Sequence, residues 1–247
     1  MALLGAIIIG LSLGLFGSGG SILTVPVLLY MVGQEPKLAI ASSLLVVAGI
    51  SFMASLPNLR KAIISWRHVL FFGVPGMFGT YGGAWLGGMV ESWVQLFVFA
   101  GLMLVAAVFM WRKRAITELP PLAWRPWKVL AEGTIVGVIT GFVGVGGGFL
   151  IVPALVILGG LALPVAVASS LVIISLKSFV GFGKYYQVLV LEGYSFDWQV
   201  IGLMVVAGFI GSVLGGWLGS RIPAKPLQRG FAIFLVIMAI YVVIRTI

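Results

Sequence analysis

The stretch Gly144-Val145-Gly146-Gly147-Gly148-Phe149-Leu150-Ile151-Val152-Pro153 interrupts an apolar run that covers about residues 129–158. A related stretch, Gly17-Ser18-Gly19-Gly20-Ser21-Ile22-Leu23-Thr24-Val25-Pro26, interrupts the apolar run over residues 2–32. Each run is longer than the ~20 residues that one membrane-crossing helix needs. A glycine cluster inside such a run opens the helix, and the freed backbone N–H and C=O groups need partners that lipid does not offer. Both stretches therefore predict helix breaks within a membrane.

The composition predicts a multi-pass integral membrane protein. Of the 247 residues, 61% are hydrophobic and only 9% are charged, whereas a soluble domain carries about 25% charged residues. No long polar region is present, so we expect one domain of packed helices over residues 1–247. Eight apolar segments are predicted, at about residues 2–32, 38–56, 69–90, 94–111, 129–158, 162–183, 199–218 and from after Arg229 to 247.

Charge and residue usage exclude several classes of function. The net charge of +9 comes from basic residues in a few short loops, which is typical of loops attracted to anionic lipid and gives no indication of a nucleic-acid partner. The chain has no cysteine and a single histidine, His68, which argues against a Cys- or His-based metal site. No carboxylate lies in the middle of a segment, so an intramembrane enzyme is disfavoured. We expect no catalytic residue, metal or cofactor.

The chain is an internal duplication. A shift of 127 residues brings the two glycine clusters together and places Pro26 on Pro153. The same shift places Ala41-Ser42-Ser43-Leu44 on Ala168-Ser169-Ser170-Leu171. We assign repeat one to residues 1–111, a cytoplasmic linker to residues 112–128 and repeat two to residues 129–247.

Loop charge indicates that the two halves are inverted. The loop with Arg60, Lys61 and Arg67 is basic, whereas its counterpart over residues 184–197 carries one Lys, one Glu and one Asp. The distribution of basic residues is reversed at the next pair of corresponding turns. The turn in the first half contains Glu91, while the turn in the second half contains Arg221, Lys225 and Arg229. Inversion needs an odd number of crossings per half, so each broken segment should enter the membrane and return as a hairpin. The expected fold is all-α, with roughly 5+5 helices and both termini outside; eight plain spans with parallel halves is the alternative.

Two further glycine series place small residues on one face of a helix, which lets another helix approach closely. The series are Gly76, Gly79, Gly83 and Gly87, and Gly208, Gly211, Gly215 and Gly219. Packing between helices of the same chain is the expected use, and a homodimer interface is the alternative.

At this level the chain resembles the sulfite-exporter TauE/SafE family, also called the toluene-sulfonate uptake permeases. The resemblance rests on the paired glycine clusters followed by Val-Pro, on the Ala-Ser-Ser-Leu segments, and on the ending Gly-Ser-Arg-Ile-Pro…Leu-Gln-Arg. It implies a permease of the bacterial inner membrane that moves small sulfur-containing anions such as sulfite, thiosulfate or organosulfonates. The rival class is a membrane-embedded binding or scaffold subunit of a larger complex.

The predicted site lies at the two breaks. In inverted repeats, broken helices meet near the midplane and direct the N-termini of half-helices at an anionic ligand. The alternative is that the glycines only permit turning or packing. Serines could complete the site through their hydroxyls, although bonding back to the preceding helical turn is an equal alternative. The candidate residues are Gly17, Ser18, Gly19, Gly20, Ser21, Ser42, Ser43, Gly144, Gly146, Gly147, Gly148, Ser169 and Ser170.

Lys177 is the remaining candidate. It falls in the middle of an apolar segment, where a charge costs at least ~2.5 kcal/mol, and its counterpart in the first half is Ile50. The fold itself therefore does not require a lysine there. Lys177 either faces the anion pathway or extends to a membrane interface.

Overall fold

The computed structural model describes residues 2–16, 19–60, 62–112, 126–157, 159–219, 221 and 224–246. Five helices come from the first half: α1 Ala2–Phe16, α2 over residues 19–32, α3 Pro36–Arg60, α4 Trp66–Met89 and α5 Ser92–Arg112. Five come from the second half: α6 Pro126–Val143, α7 Gly148–Ile157, α8 Leu163–Leu191, α9 Trp198–Gly219 and α10 Ala224–Thr246. The described residues thus confirm the predicted all-α polytopic membrane protein.

Five of these helices, α3, α4, α6, α8 and α9, are long and apolar enough to cross a membrane. Helices α3 and α8 are the most buried of the five and form the centre of the molecule. Helices α2 and α7 are shorter. Helix α7 has 10 residues, or about 15 Å at 1.5 Å per residue, which is half of a ~30 Å hydrocarbon core.

The first break produces a hairpin, as predicted. Helix α2 is irregular, with a 3₁₀ turn at Gly19–Leu23 and a π turn at Val27–Val32. A Cβ added at Gly20 would lie 2.6 Å from the Cα of Leu13, near the end of α1. A Cβ added at Gly5, near the start of α1, would lie 3.4 Å from the sulfur of Met31. Helix α2 therefore runs back along α1.

The second break also reverses the chain. In the N-terminal half of α6, Gly133 packs against the backbone of Phe72. After α7, the carbonyl of Gly159 lies 3.1 Å from Nε2 of His68. Because Phe72 and His68 both lie near the start of α4, the hairpin α6–α7 returns to the level at which it began.

The glycine series serve helix packing within the chain. Helices α4 and α6 run parallel, with Gly137 against Gly76 and Gly141 against Thr80. Helices α9 and α1 make the corresponding pair, with Gly10 against Gly208. The first helix of each half thus packs on the fourth helix of the other half. Missing side chains let these backbones approach to van der Waals distance, which is a main source of helix association in lipid.

The central helices α3 and α8 run antiparallel. Oγ of Ser175 donates to the carbonyl of Ala48 at 3.2 Å, and these two residues are counterparts under the shift of 127. Further along, a Cβ added at Gly181 would lie 3.2 Å from Leu44. Residue numbers therefore fall along α8 as they rise along α3, which is the relation that inverted halves produce.

One predicted boundary needs correction. The sixth segment was expected to end near residue 183, but α8 continues to Leu191. The polar run Lys184-Tyr185-Tyr186-Gln187 resembles a helix end in sequence, yet the Tyr185 side chain is buried and hydrogen-bonded inside the protein. The linker predicted at residues 112–128 lies mostly outside the described part of the chain, which lacks residues 113–125, and α6 begins at Pro126.

Candidate functional site

The break between α6 and α7 is built from left-handed backbone. Gly144, Gly146 and Gly147 have φ values of 72°, 67° and 77°. The left-handed conformation costs a residue with a side chain roughly 1–2 kcal/mol of free energy. Glycine, which has no Cβ, therefore suits each of these positions. In the first half, Gly17 and Ser18 lie outside the described residues, and α2 begins at Gly19.

Protein donors satisfy several carbonyls at this break. The Thr140 carbonyl accepts from the N–H groups of Gly144 at 3.0 Å and Val145 at 3.2 Å. The Gly144 carbonyl accepts from Oγ of Ser43. The Phe142 carbonyl accepts from Nε2 of Gln95 at 2.6 Å and from the Tyr185 hydroxyl at 2.8 Å. The negative end of α6 is therefore stabilised by the protein itself.

The N–H groups at the same break are not satisfied in this way. Within the described residues, the N–H groups of Gly146 and Gly147 have no hydrogen-bond acceptor. Oγ of Ser178 is fully buried, has no partner there, and lies 2.7 Å from the position of a Cβ added at Gly146. Two backbone donors, a hydroxyl and the positive end of α7 thus lie in one short region of the protein, an arrangement that favours an anion.

Lys177 precedes Ser178 on α8 and points to a different side. Its side chain is fully buried, and its Nζ has no hydrogen-bond partner among the described residues. The aliphatic stem lies against α4, with Cδ 3.1 Å from a Cβ added at Gly76, and Nζ lies 5.9 Å from the centre of the Phe72 ring. The lysine therefore lies between α8 and α4 rather than in the glycine turn.

The first-half counterpart of Lys177 packs in the corresponding way without a charge. Ile50 is buried, and its Cγ1 lies 3.0 Å from a Cβ added at Gly208, the counterpart of Gly76. An apolar side chain thus fits this kind of position. In the described part of the chain, the ion pair present is Lys37–Glu192, at 3.4 Å, so Lys177 is not neutralised by a carboxylate there.

The four candidate serines of α3 and α8 have different surroundings. Ser43 and Ser170 donate to carbonyls three residues back, at 2.7 Å and 2.8 Å, and Ser43 also reaches Gly144. Oγ of Ser169 accepts from the N–H of Ser65 at 2.9 Å. Ser42 is buried and has no partner in the described residues. Three of the four hydroxyls are therefore engaged by the protein.

The first break has fewer described contacts. Gly20 and Ser21 are buried. Ser51, the counterpart of Ser178, is buried and without a hydrogen-bond partner in the described part. Ser178, Ser51, Gln95 and Tyr185 are not among the site residues predicted from the sequence. Gln95 carried a usable signal, because it is an amide inside the apolar run Trp93-Val94-Gln95-Leu96-Phe97; the serines carried none.

Metal ligation finds no support in the described part of the chain, where no group of three or more His, Cys, Asp or Glu side chains could hold a metal ion. His68 is buried near the start of α4, where Nδ1 lies 2.8 Å from Oγ of Ser65 and Nε2 3.1 Å from the Gly159 carbonyl. Because a carbonyl only accepts, Nε2 carries the hydrogen in that bond. This histidine therefore holds the loop after α7.

Comparison with known proteins gives one consistent result. The family model described as "Sulfite exporter TauE/SafE" matches residues 2–242. A "Probable membrane transporter protein" of Xylella fastidiosa is 32% identical over 97% of this chain and 92% of its own. Proteins with similar descriptions in Methanocaldococcus jannaschii and Bacillus subtilis are 25% and 26% identical, over 96% and 94% of this chain and 92% and 94% of their own. No solved structure matches.

Proposed function

Because the chain belongs to the sulfite exporter TauE/SafE family of membrane transporters, we propose that it carries small oxyanions across the cell's inner membrane. The proposed cargo is a sulfur-containing anion such as sulfite, thiosulfate or an organosulfonate. The proposed binding point is the glycine break between α6 and α7.

The proposal rests on a difference in hydrogen bonding between the C=O groups and the N–H groups at this break. Donors from the protein meet the carbonyls of Phe142 and Gly144, whereas the N–H groups of Gly146 and Gly147 have no acceptor among the described residues and can donate to a bound anion. An oxyanion has several acceptor oxygens, and it can approach a glycine backbone closely because no Cβ intervenes. Ser178 supplies a third donor from α8.

Lys177 has the second role in this proposal. Its ammonium lies at almost the same depth on α8 as Ser178 and has no carboxylate partner in the described residues. A positive charge in low dielectric lowers the cost of bringing an anion to that depth. We assign the long-range attraction of the anion to Lys177. The direct contacts with the anion are assigned to the glycine break.

Movement of the cargo is proposed to use alternating access of two inverted repeats. The antiparallel pair α3–α8 and the exchanged pairs α1–α9 and α4–α6 support inversion. With the basic loops placed in the cytoplasm, the start of α3 and the end of α8 lie outside. There Nζ of Lys37 lies 3.4 Å from the Glu192 carboxylate and 3.4 Å from the Gly88 carbonyl. These contacts link the outer ends of α3, α4 and α8, and we propose that they separate when the outer side opens.

The topology gives a direct test, because the native chain has no cysteine. Single cysteines at Ser92 and Ser195 should react with a membrane-impermeant thiol reagent added outside intact cells. Single cysteines at Asn58 and Ala224 should be protected until the membrane is permeabilised. Labelling of the Ala224 position from outside would contradict inversion and favour eight plain spans.

The transport activity is tested with purified protein in proteoliposomes. Uptake of labelled sulfite and thiosulfate by the protein alone is the expected result, together with thermal stabilisation by the transported anion in a panel that includes sulfate, taurine and sulfoacetate. Anion-independent leakage is measured in protein-free liposomes. A protein that is folded but moves none of the anions would favour the scaffold-subunit alternative.

Ser178→Ala is expected to weaken the apparent affinity for the anion roughly tenfold, because a hydrogen bond to a charged group contributes ~1.5–3 kcal/mol. Ser51→Ala is the matched control: Ser51 is also buried without a partner in the described residues, but it follows Ile50 rather than a lysine. The measurement is the concentration dependence of uptake at equal protein amounts. An unchanged affinity in Ser178→Ala would place the hydroxyl of Ser178 outside the anion site.

A further inference from the structure

The carbonyl end of α6 is held inside the protein by two side chains from other helices. Gln95 of α5 and Tyr185 of α8 are both buried. Nε2 of Gln95 lies 2.6 Å from the Phe142 carbonyl and 2.6 Å from the Tyr185 hydroxyl, which itself donates to the same carbonyl at 2.8 Å. The two amide hydrogens and the phenolic hydrogen thus meet at the last turn of α6.

The surrounding helices leave space for this cluster. Gly87 of α4 faces it, and a Cβ added there would lie 2.5 Å from Nε2 of Gln95 and 2.6 Å from the Phe142 carbonyl. A side chain at residue 87 would therefore displace the cluster. Helices α4, α5 and α8 all meet α6 at one carbonyl, two residues before the left-handed Gly144.

Helix termination alone does not explain this arrangement. A hydrogen bond to one of the last carbonyls is required in lipid, but a single donor would satisfy that need. In the first half, the counterpart of Tyr185 is Asn58, which donates at 3.4 Å to Ala54 in its own helix. Within the described residues, the double contact is therefore found at the second break, which is also the break next to Ser178.

We infer that Tyr185 and Gln95 are positioning residues for the anion site, acting through the Phe142 carbonyl. They fix the end of α6, which sets the path of residues 144–147 and the direction of the Gly146 and Gly147 N–H groups. A loose end of α6 would let those donors lose their alignment. This inference rests on the proposed function, because it assigns a role in anion binding.

The test compares Tyr185→Phe with Tyr186→Phe. Both changes remove one hydroxyl from α8, but Tyr186 lies in an aromatic cluster with Phe182, Phe196 and Trp198. Tyr185→Phe should raise the apparent KM for anion uptake about three- to tenfold, the effect of one lost hydrogen bond, and leave the maximal rate nearly unchanged. Adding Gln95→Leu to Tyr185→Phe should raise the apparent KM further. Tyr186→Phe alone should leave the apparent KM unchanged.

A second readout does not depend on transport. Val145 is buried next to the break, and Val145→Cys would be the sole cysteine of the chain. In the detergent-solubilised protein, we expect Tyr185→Phe to raise the thiol-labelling rate of this cysteine about fivefold through local opening, whereas Tyr186→Phe should not change it.

The outcomes separate this inference from the proposed function. An unchanged KM and labelling rate in the Tyr185→Phe, Gln95→Leu double variant would overturn the positioning role. A lower yield of folded protein with wild-type KM would also overturn it, since it would show a contribution to stability only. Absence of uptake by the wild-type protein would refute the proposed function, whereas faster labelling of Val145→Cys would still show that the pair orders the break.

Discussion

Gly147→Ala is expected to abolish anion uptake while the protein still reaches the membrane. Gly147 has φ +77°, which costs an alanine roughly 1–2 kcal/mol. The added Cβ would also lie 2.7 Å from Cβ of Thr140, so the turn must shift. Displacements of about 1 Å in a preorganised site can cost ~100-fold in rate, and here the shifted groups are the proposed anion donors.

Gly193→Ala provides the control for backbone strain. Gly193 has φ +84°, and a Cβ added there meets nothing within 4 Å. This variant carries the same conformational cost in a loop away from the break, so its uptake should stay close to that of the wild-type protein. Uptake is measured in proteoliposomes with equal amounts of each variant, after their amounts in the membrane are compared by immunoblot. Near-normal uptake by Gly147→Ala would show that the glycine turn does not contact the cargo.

The main features of the fold were predictable because their causes are local in sequence. A glycine cluster inside an apolar run of about 30 residues is expected to break the helix in a membrane. Both hairpins follow from these breaks. Spaced glycines predicted close helix pairs, and α1–α9 and α4–α6 are such pairs. The extension of α8 to Leu191 was not predictable in this way, because the polar side chain of Tyr185 finds its partners in Gln95 and Phe142, which are 90 and 43 positions away.

The candidate site depends less on local sequence than the fold does. The positive φ values of Gly144, Gly146 and Gly147 agree with the predicted helix break, while their role as anion ligands stays a prediction. The serine pairs looked equivalent in sequence, yet Ser43 and Ser169 bond to backbone groups about 100 residues away. The hydrogen-bond partners of these serine hydroxyls are determined by how the helices pack. The sequence pattern therefore does not indicate them. Ser178, which has no partner in the described part, was indistinguishable from other membrane serines for the same reason.

Lys177→Met is expected to weaken the apparent affinity for the anion about five- to thirtyfold. Methionine keeps most of the apolar stem that packs on Gly76 and removes the charge. A charge pair at 4 Å is worth roughly 4 kcal/mol at an effective dielectric of 20, and the cost of removing both ions from water cancels much of it. A net loss of about 1–2 kcal/mol corresponds to this change in affinity.

Ile50→Met is the matched control for Lys177→Met. Ile50 occupies the related position in the other half and is equally buried, so this change tests the effect of a methionine in the packed core without any change of charge. We expect it to leave the affinity within about twofold, since volume-conserving apolar exchanges cost less than ~1.5 kcal/mol. A large loss in both variants would indicate that packing, rather than charge, explains the Lys177 effect.

The charge of the cargo gives the decisive comparison. If the Lys177 ammonium attracts the anion, its removal should weaken the binding of a divalent anion more than that of a monovalent one, because the Coulomb energy scales with the product of the charges. Lys177→Arg should retain more affinity than Lys177→Met, although the planar guanidinium is larger and fits the space beside Gly76 less well. The measurement is uptake of labelled thiosulfate and of a monovalent sulfonate over a range of concentrations. Equal affinities of wild type and Lys177→Met for both anions would place Lys177 off the pathway and leave the glycine N–H groups and Ser178 as the anion's ligands.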